Sequence, residues 1–387
     1  MGRDMVVALG EATATGSVLL AQTSSFVSRS LRRTPNSELS VCEKVQTQWL
    51  ELFQPRRLIG VVGCQPRGRW GYDVAVNEYG VAACYTLVRH RMAGSFPGLC
   101  PTDLVRLATE RSESAVKAVD VVTKLIEAHG VYDDGASSGN CALLVADQRE
   151  AFLIETASRH WAARQIQDLY SSTDTCTIRQ DWNRISSGLS TLAIEQGWWP
   201  GDGSKLDFAV ALGSDLASLP DRASRQVLDQ QKGAIDVGFL RQMIARRATE
   251  SSGVRMPARG AAIIELARSG QLPILHYACS LPSATLYVPV FVAGELPQQY
   301  SRLPFNPFAE REKPIVHDRL GQFQDDIDRQ TEEFLEEAAN AQSTEDAEAV
   351  ARLATHYMQH CAERTETFWR QMEKLYGVAG SLAPTGN

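Results

Sequence analysis

Met5-Val-Val-Ala-Leu-Gly-Glu-Ala-Thr-Ala-Thr-Gly-Ser-Val-Leu-Leu-Ala21 is the stretch on which the fold turns. Two apolar runs, 5–9 and 16–21, flank a polar segment at 11–15, the pattern of two strands joined by a turn. A sheet therefore starts at once. Further strands are expected at 58–62 and 72–76. Asn77-Glu-Tyr-Gly80 is a turn, and 81–88 reads as the next strand. Residues 102–129 are helical: Thr102 is placed to cap, Leu104, Leu107 and Ala108 share a face, Ser114 restarts the helix, and Gly130 ends it. Strands return at 141–146, 151–156 and 161–166, with a turn at 147–150. Two helices flank the loop at 197–203, and strands at 274–278 and 286–292 follow. Strands, then helices, then strands again predict an α+β protein with antiparallel sheets. No G-x-G-x-x-G or Walker A loop is present, so a dinucleotide-binding βαβ reading fails.

The 387 residues are 44% hydrophobic and 22% charged, which excludes a disordered chain, a fibre and a disulfide-stapled miniprotein. Acidic side chains outnumber basic ones, 46 to 39, for a net charge of −7, which argues against a nucleic-acid partner. Eight cysteines (Cys42, Cys64, Cys84, Cys100, Cys141, Cys176, Cys279 and Cys361) show no C-x-x-C spacing, so zinc ribbons and thioredoxin-like motifs are not expected. The longest apolar stretch, 286–294, is too short for a bilayer and is broken by Pro289. The 5–9 run is far shorter than a signal core. The expectation is a cytoplasmic protein with reduced thiols, no membrane segment and no cofactor. Prolines 304, 307 and 314 mark a connector, dividing the chain into 1–303 and a section of charged helices, 304–387.

Seven stretches, in order, carry a family likeness: Val7-Ala-Leu-Gly-Glu-Ala-Thr-Ala-Thr-Gly16; Trp70-Gly71; Asn77-Glu-Tyr-Gly-Val81; Thr102-Asp-Leu-Val-Arg-Leu107 with Glu110-Arg111; Val145-Ala-Asp-Gln-Arg-Glu-Ala-Phe-Leu-Ile-Glu-Thr156; His160-Trp-Ala-Ala163; and Gln196-Gly-Trp-Trp-Pro-Gly201. To about residue 295 the chain resembles the secernins and the bacterial cysteine dipeptidases related to them, within the N-terminal-nucleophile hydrolases. The resemblance implies a four-layer αββα sandwich. It also implies a chemistry in which a Cys thiolate at the start of the first strand attacks an amide carbonyl, with that residue's own α-amino group as base.

The nucleophile position of that family falls at Arg3 or Met5, and the first hydroxyl or thiol in this chain is Thr13, in the turn. The family's Lys-Asn-Ser-Asp-Arg motif reads Gln22-Thr-Ser-Ser-Phe26. Its second Asn-Glu pair reads Tyr85-Thr86, and its Thr-Thr-Ala-Ser reads Ile263-Ile-Glu-Leu266. Scaffold residues match and pocket residues do not, which predicts a pseudoenzyme. Its pocket would be lined by Arg3, Asp4, Met5, Gln22, Thr23, Asn77 and Glu78 and would take a small peptide or amino-acid-like ligand. Two alternatives stay open: an active amide hydrolase with a non-standard nucleophile, and a structural or assembly protein using the helical tail, with homo-oligomerisation allowed. Cys141, after Gly139-Asn140 at a strand start, is the alternative nucleophile, against a plain buried residue. His356 and His360 have i, i+4 metal spacing without the Glu of a zinc-protease motif, and no metal is expected. Arg56-Arg57, Arg67, Arg69 and Arg89-His90-Arg91 form a basic group that suits either an anion or ordinary solvation. Trp198-Trp199 suits either a ligand wall or core packing.

Overall fold

The fold was read from a computed structural model. It describes residues 4–24, 29–133, 139–172, 175–213, 222–249, 258, 260–267, 270–278, 285–302, 314–344 and 346–376. The chain opens with β1 (Met5–Ala8), a 3-10 turn at Gly10–Ala12, and β2 (Val18–Ser24). It continues through β3 (Arg29–Thr34), the short ribbons β4 (Ser37–Glu38), β5 (Lys44–Gln46), β6 (Glu51–Phe53) and β7 (Arg57–Leu58), then β8 (Val61–Pro66), β9 (Val74–Asn77) and β10 (Ala82–Val88). Helices α1 (Pro101–Glu110) and α2 (Ala115–His129) precede the strands β11 (Asn140–Ala146), β12 (Ala151–Ala157), β13 (His160–Ile166), β14 (Leu169–Ser172) and β15 (Arg184–Ile185). Then come α3 (Leu189–Glu195), α4 (Phe208–Leu212), α5 (Arg222–Gln230), α6 (Val237–Thr249), β16 (Gly260–Leu266), β17 (Ile274–Ala278), β18 (Val288–Phe291), α7 (Pro314–Ser343) and α8 (Ala347–Tyr376).

Two antiparallel sheets carry the fold. One runs β14-β1-β2-β16-β17-β18, the other β15-β13-β12-β11-β10-β9-β8-β3. Alternation along each strand sorts side chains between three apolar layers. Met5, Val7, Val18 and Leu20 from the first sheet meet Val62, Val74, Cys84 and Leu144 from the second in the inter-sheet core. The opposite parity, Val6, Leu19, Ala21 and Ile263, faces Leu228, Leu240, Met243 and Ile244 of α5 and α6. The outer face of the second sheet, with Tyr85, Leu143 and Ile154, packs on Leu104, Val119, Val122 and Ile126 of α1 and α2. The result is the four-layer αββα sandwich that the resemblance implies.

The motif residues around α1 hold this packing. A Cβ at Gly71 would sit 2.0 Å from the Thr102 carbonyl oxygen, so only glycine lets that loop lie on the helix. Arg106 lies over the Trp70 ring at 4.1 Å and pairs with the buried Glu110 at 2.6 Å. The helix starts at Pro101, one residue before the expected cap, because the Asp103 carboxylate turns back to accept the Cys100 N–H at 3.1 Å. Burial holds Asp103 up at about 6.

The C-terminal helices join the same core. Phe334 of α7 stacks on Tyr357 of α8 at 4.6 Å, and Phe291 of β18 lies 4.8 Å from Phe334. Met358 Sδ accepts the Phe291 N–H at 3.3 Å. Among the described residues no helix is long and apolar enough to cross a membrane.

Candidate functional site

The start of β1 is where the resemblance would put a nucleophile. Met5 pairs with Ser172 on one side and Gln22 on the other, and it is fully buried. Arg3 lies outside the described residues. Asp4 exchanges backbone contacts with Thr23: the Asp4 N–H donates to Thr23 Oγ1 at 2.9 Å, and the Thr23 N–H to the Asp4 carbonyl at 3.0 Å. Asp4, Gln22 and Thr23 share, with Val6, Ala21, Met243 and Ile244, a void of only about 10 Å³, room for one water at most. Asp4, Met5, Gln22 and Thr23 therefore come together, but around almost no space.

On the inter-sheet side the same end is filled. Gln22 Nε2 donates across the gap to the Tyr85 carbonyl at 2.6 Å and the Asp73 carbonyl at 3.2 Å. Ser24 Oγ donates to Asp73 Oδ2 at 2.9 Å, and Arg29 Nη1 lies 3.8 Å from that oxygen, with both charged side chains at most 2% exposed. The Arg29 guanidinium uses space that glycine leaves at position 260: a Cβ there would sit 2.0 Å from Arg29 Nη2, so the guanidinium would have to shift. Counting the Lys and Arg of the family motif as lost misses this cation. Arg29 follows three residues after Phe26 and returns a buried guanidinium to the site, with Asp73 as its carboxylate. No motif in the sequence flags Asp73; its neighbour Gly71 is the nearest signal.

Asn77 and Glu78 stand elsewhere. Asn77 lies four residues along β9 from Asp73, about 13 Å at 3.3 Å per residue. Its Nδ2 donates to the Thr109 and Ser112 carbonyls at 2.8 and 2.7 Å, and its Oδ1 accepts from the Tyr79 and Val81 N–H groups at 3.0 and 2.9 Å. All its polar capacity is spent holding the turn to α1. Glu78 is exposed and bonds Gly60 N–H and Asn36. Thr13 is bound to the Ser17 and Gly10 carbonyls at the far end of β1. Cys141 is fully buried in the helix-facing layer, and its N–H donates to Thr156 Oγ1 at 2.9 Å. Ile263 and Ile264 fill the two faces of β16 opposite Ala21 and Leu20.

The open space lies one strand over. A cleft of about 660 Å³ runs along β14 between the sandwich edge and α5, lined by Arg164, Tyr170, Ser171, Thr175, Thr177 and Arg225 among others. β14 pairs only with β1 among the described strands; on its other edge the Leu169 N–H donates to Asp168 Oδ1 at 2.6 Å and the Leu169 carbonyl accepts from Arg225 Nη1 at 2.5 Å. Ser171 Oγ and Thr175 Oγ1 are buried without a hydrogen-bond partner among the described residues. Thr177 is fixed by Glu155, which accepts the Thr177 N–H at 2.6 Å, its hydroxyl at 3.0 Å and the Ile178 N–H at 3.1 Å. Burial pushes Glu155 up to about 7. Between those threonines, Cys176 Sγ lies 3.2 Å from His90 Nε2. Burial lowers His90 to about 4, opposed by its bond to the Leu212 carbonyl, and raises the thiol. The pair is thus a neutral thiol on a neutral imidazole, the reverse of an activated nucleophile.

The remaining candidates are dispersed. Arg57 bonds Tyr79, Arg69 lies 3.6 Å from Asp133, and Arg91 reaches the Gly213 carbonyl. Trp198 and Trp199 pack against the inter-sheet core. His356 and His360 are exposed on α8, and no cluster of three or more His, Cys, Asp or Glu suited to a metal occurs among the described residues.

No family model matches the chain. Among solved structures it is similar to a variant of the conjugated bile acid hydrolase from Clostridium perfringens, with a TM-score of 0.43 and 12% identity over 71% of this chain and 89% of that one. It is also similar to penicillin V acylase from Agrobacterium tumefaciens, with a TM-score of 0.39 and 13% identity over 75% and 86%. The Caenorhabditis elegans orthologue of N-acylethanolamine-hydrolyzing acid amidase gives 0.29 and 8% over 67% and 92%. At this degree of likeness the chemistry rests on this chain's own side chains.

Proposed function

We propose that the chain is a secernin-like scaffold of the N-terminal-nucleophile hydrolase lineage that binds a small peptide or amino-acid-like ligand and does not hydrolyse it. The observation that carries this reading is the strand start: a buried Met5 paired with Gln22, whose amide reaches the Asp73 carbonyl, with no thiol or hydroxyl on the residue that nucleophile and terminal amine must share. A buried hydroxyl without a partner costs about 1–3 kcal/mol, and the Ser171 and Thr175 hydroxyls recover that when a polar ligand fills the β14 cleft. A short peptide suits the part of the β14 edge at Ser171, beyond Leu169, whose N–H and carbonyl are taken by Asp168 and Arg225. The contact of Cys176 with His90 favours a second reading, an active hydrolase with a displaced thiol, but burial keeps both groups neutral.

Thermal unfolding with a panel of dipeptides and amino acids tests the binding. At saturation at least one should raise Tm by roughly 2 °C or more. Ser171→Arg, which fills the cleft, should abolish the rise. A panel without effect, or an undiminished rise in S171R, contradicts the reading.

A further inference from the structure

A second cleft, of about 300 Å³, lies between residues 55–59 and the first half of α2, on the opposite side of the eight-stranded sheet from the inter-sheet core. Arg57, Arg111, Lys117 and Lys124 line it, together with Glu113 and Asp120. In a chain where acids outnumber bases, this grouping runs against the average.

None of the four cations has a carboxylate within ion-pair distance among the described residues. Arg57 donates to the Tyr79 hydroxyl at 2.8 Å. Arg111 Nη2 donates to the Phe53 carbonyl at 3.2 Å and to Gln54 Oε1 at 2.6 Å, while its Nε is buried with no acceptor. Burial lowers Arg111, opposed by the charge of the neighbouring Glu110. Of the two acids, Asp120 is engaged by Arg184 at 2.8 Å, and Glu113 is exposed. Lys117 and Lys124 are seven residues apart on one helix, about 10 Å at 1.5 Å per residue. That span is wider than one phosphate. The floor is apolar, with Ile59 only 4% exposed beside Val121.

We propose that this cleft binds a small polyphosphate-bearing molecule through Arg57, Arg111, Lys117 and Lys124. The guanidiniums supply planar, forked donors and the lysines compact point charges, a division suited to phosphate oxygens spread over several ångströms. Single-phosphate ligands reach only part of the set. The site is independent of the β14 cleft, so success or failure there leaves it untouched.

Calorimetric titration of the whole chain with inorganic tripolyphosphate, orthophosphate and citrate tests it. Tripolyphosphate should bind at least tenfold tighter than either of the others, and its affinity should fall with added salt. Lys117→Ala/Lys124→Ala should weaken it tenfold or more, whereas Arg319→Ala/Lys374→Ala, which removes the same charge from exposed positions on α7 and α8, should not. The proposal is overturned by absent tripolyphosphate binding, by equal affinity for orthophosphate or citrate, or by a control variant that loses as much as the cleft variant. Retained affinity in K117A/K124A overturns it as well.

Discussion

A carboxylate buried in a sheet survives only if donors surround it, and Glu155 has three, all from residues 177–178. Desolvation still wins and holds the group near 7, above its ordinary value of 4.5. Between those values the folded chain keeps a proton that the unfolded chain has released. Stability from this group is therefore full below about pH 4.5 and is lost as pH rises through about 7. Glu155→Gln cannot ionise, so the stability of the wild type relative to E155Q should fall by about 3 kcal/mol from pH 4.5 to pH 8. Urea unfolding of both proteins at the two pH values measures it, and a constant gap contradicts it. His90, lowered to about 4, acts with the opposite sign but is common to both proteins and cancels. At this scale the sequence reveals residue types better than places. Gln22, Thr23 and Asp4 lie together at the start of the first strand, whereas Asn77, equally polar, is a fully bonded turn residue. Arg29 at the start of β3 and Asp73 just before β9 meet within the eight-stranded sheet, across the intervening β8, through a pairing that no local spacing encodes.

Helices α7 and α8 show what an element contributes. Their sequence is strongly charged with a thin apolar edge, which reads as helices lying on the sandwich or on a partner, and Phe334, Ala338, Tyr357, Met358 and Cys361 pack into the inter-sheet core. Burying each large side chain is worth about 1.5–3 kcal/mol, and a whole domain is stable by only about 5–15 kcal/mol. A chain ending at residue 303 should therefore lose cooperative unfolding and expose apolar surface. Near-UV circular dichroism and dye binding would show this, and a sharp thermal transition in the shortened chain would contradict it. Central strands and the α1–α2 pair were legible because buried periodicity and caps are local signals. Of the strands not read, β3, β14 and β15 are sheet edges, whereas β16 is central, between β2 and β17. Edge strands carry polar side chains, as in Arg29-Ser-Leu-Arg-Arg-Thr34, which buries only Leu31, and so they look like loops. Helices α5 and α6 were missed with them. Because the cleft is built from β14 and α5, its lining was invisible before the fold.

For the molecule as a whole, all four layers of the sandwich are present, and among the described residues the start of β1 borders a void of only about 10 Å³. Helices cover the outer face of each sheet, and a cleft of about 660 Å³ lies along β14, the strand next to β1. That arrangement suits holding a ligand, not attacking it. Turnover of dipeptides by the purified chain, with and without prior treatment with iodoacetamide, tests this most directly. The expected result is no release of amino acids above the uncatalysed rate in either sample. Steady hydrolysis that the alkylating agent abolishes would contradict it, because an activated thiol would then be at work in a chain whose first strand begins at a buried methionine.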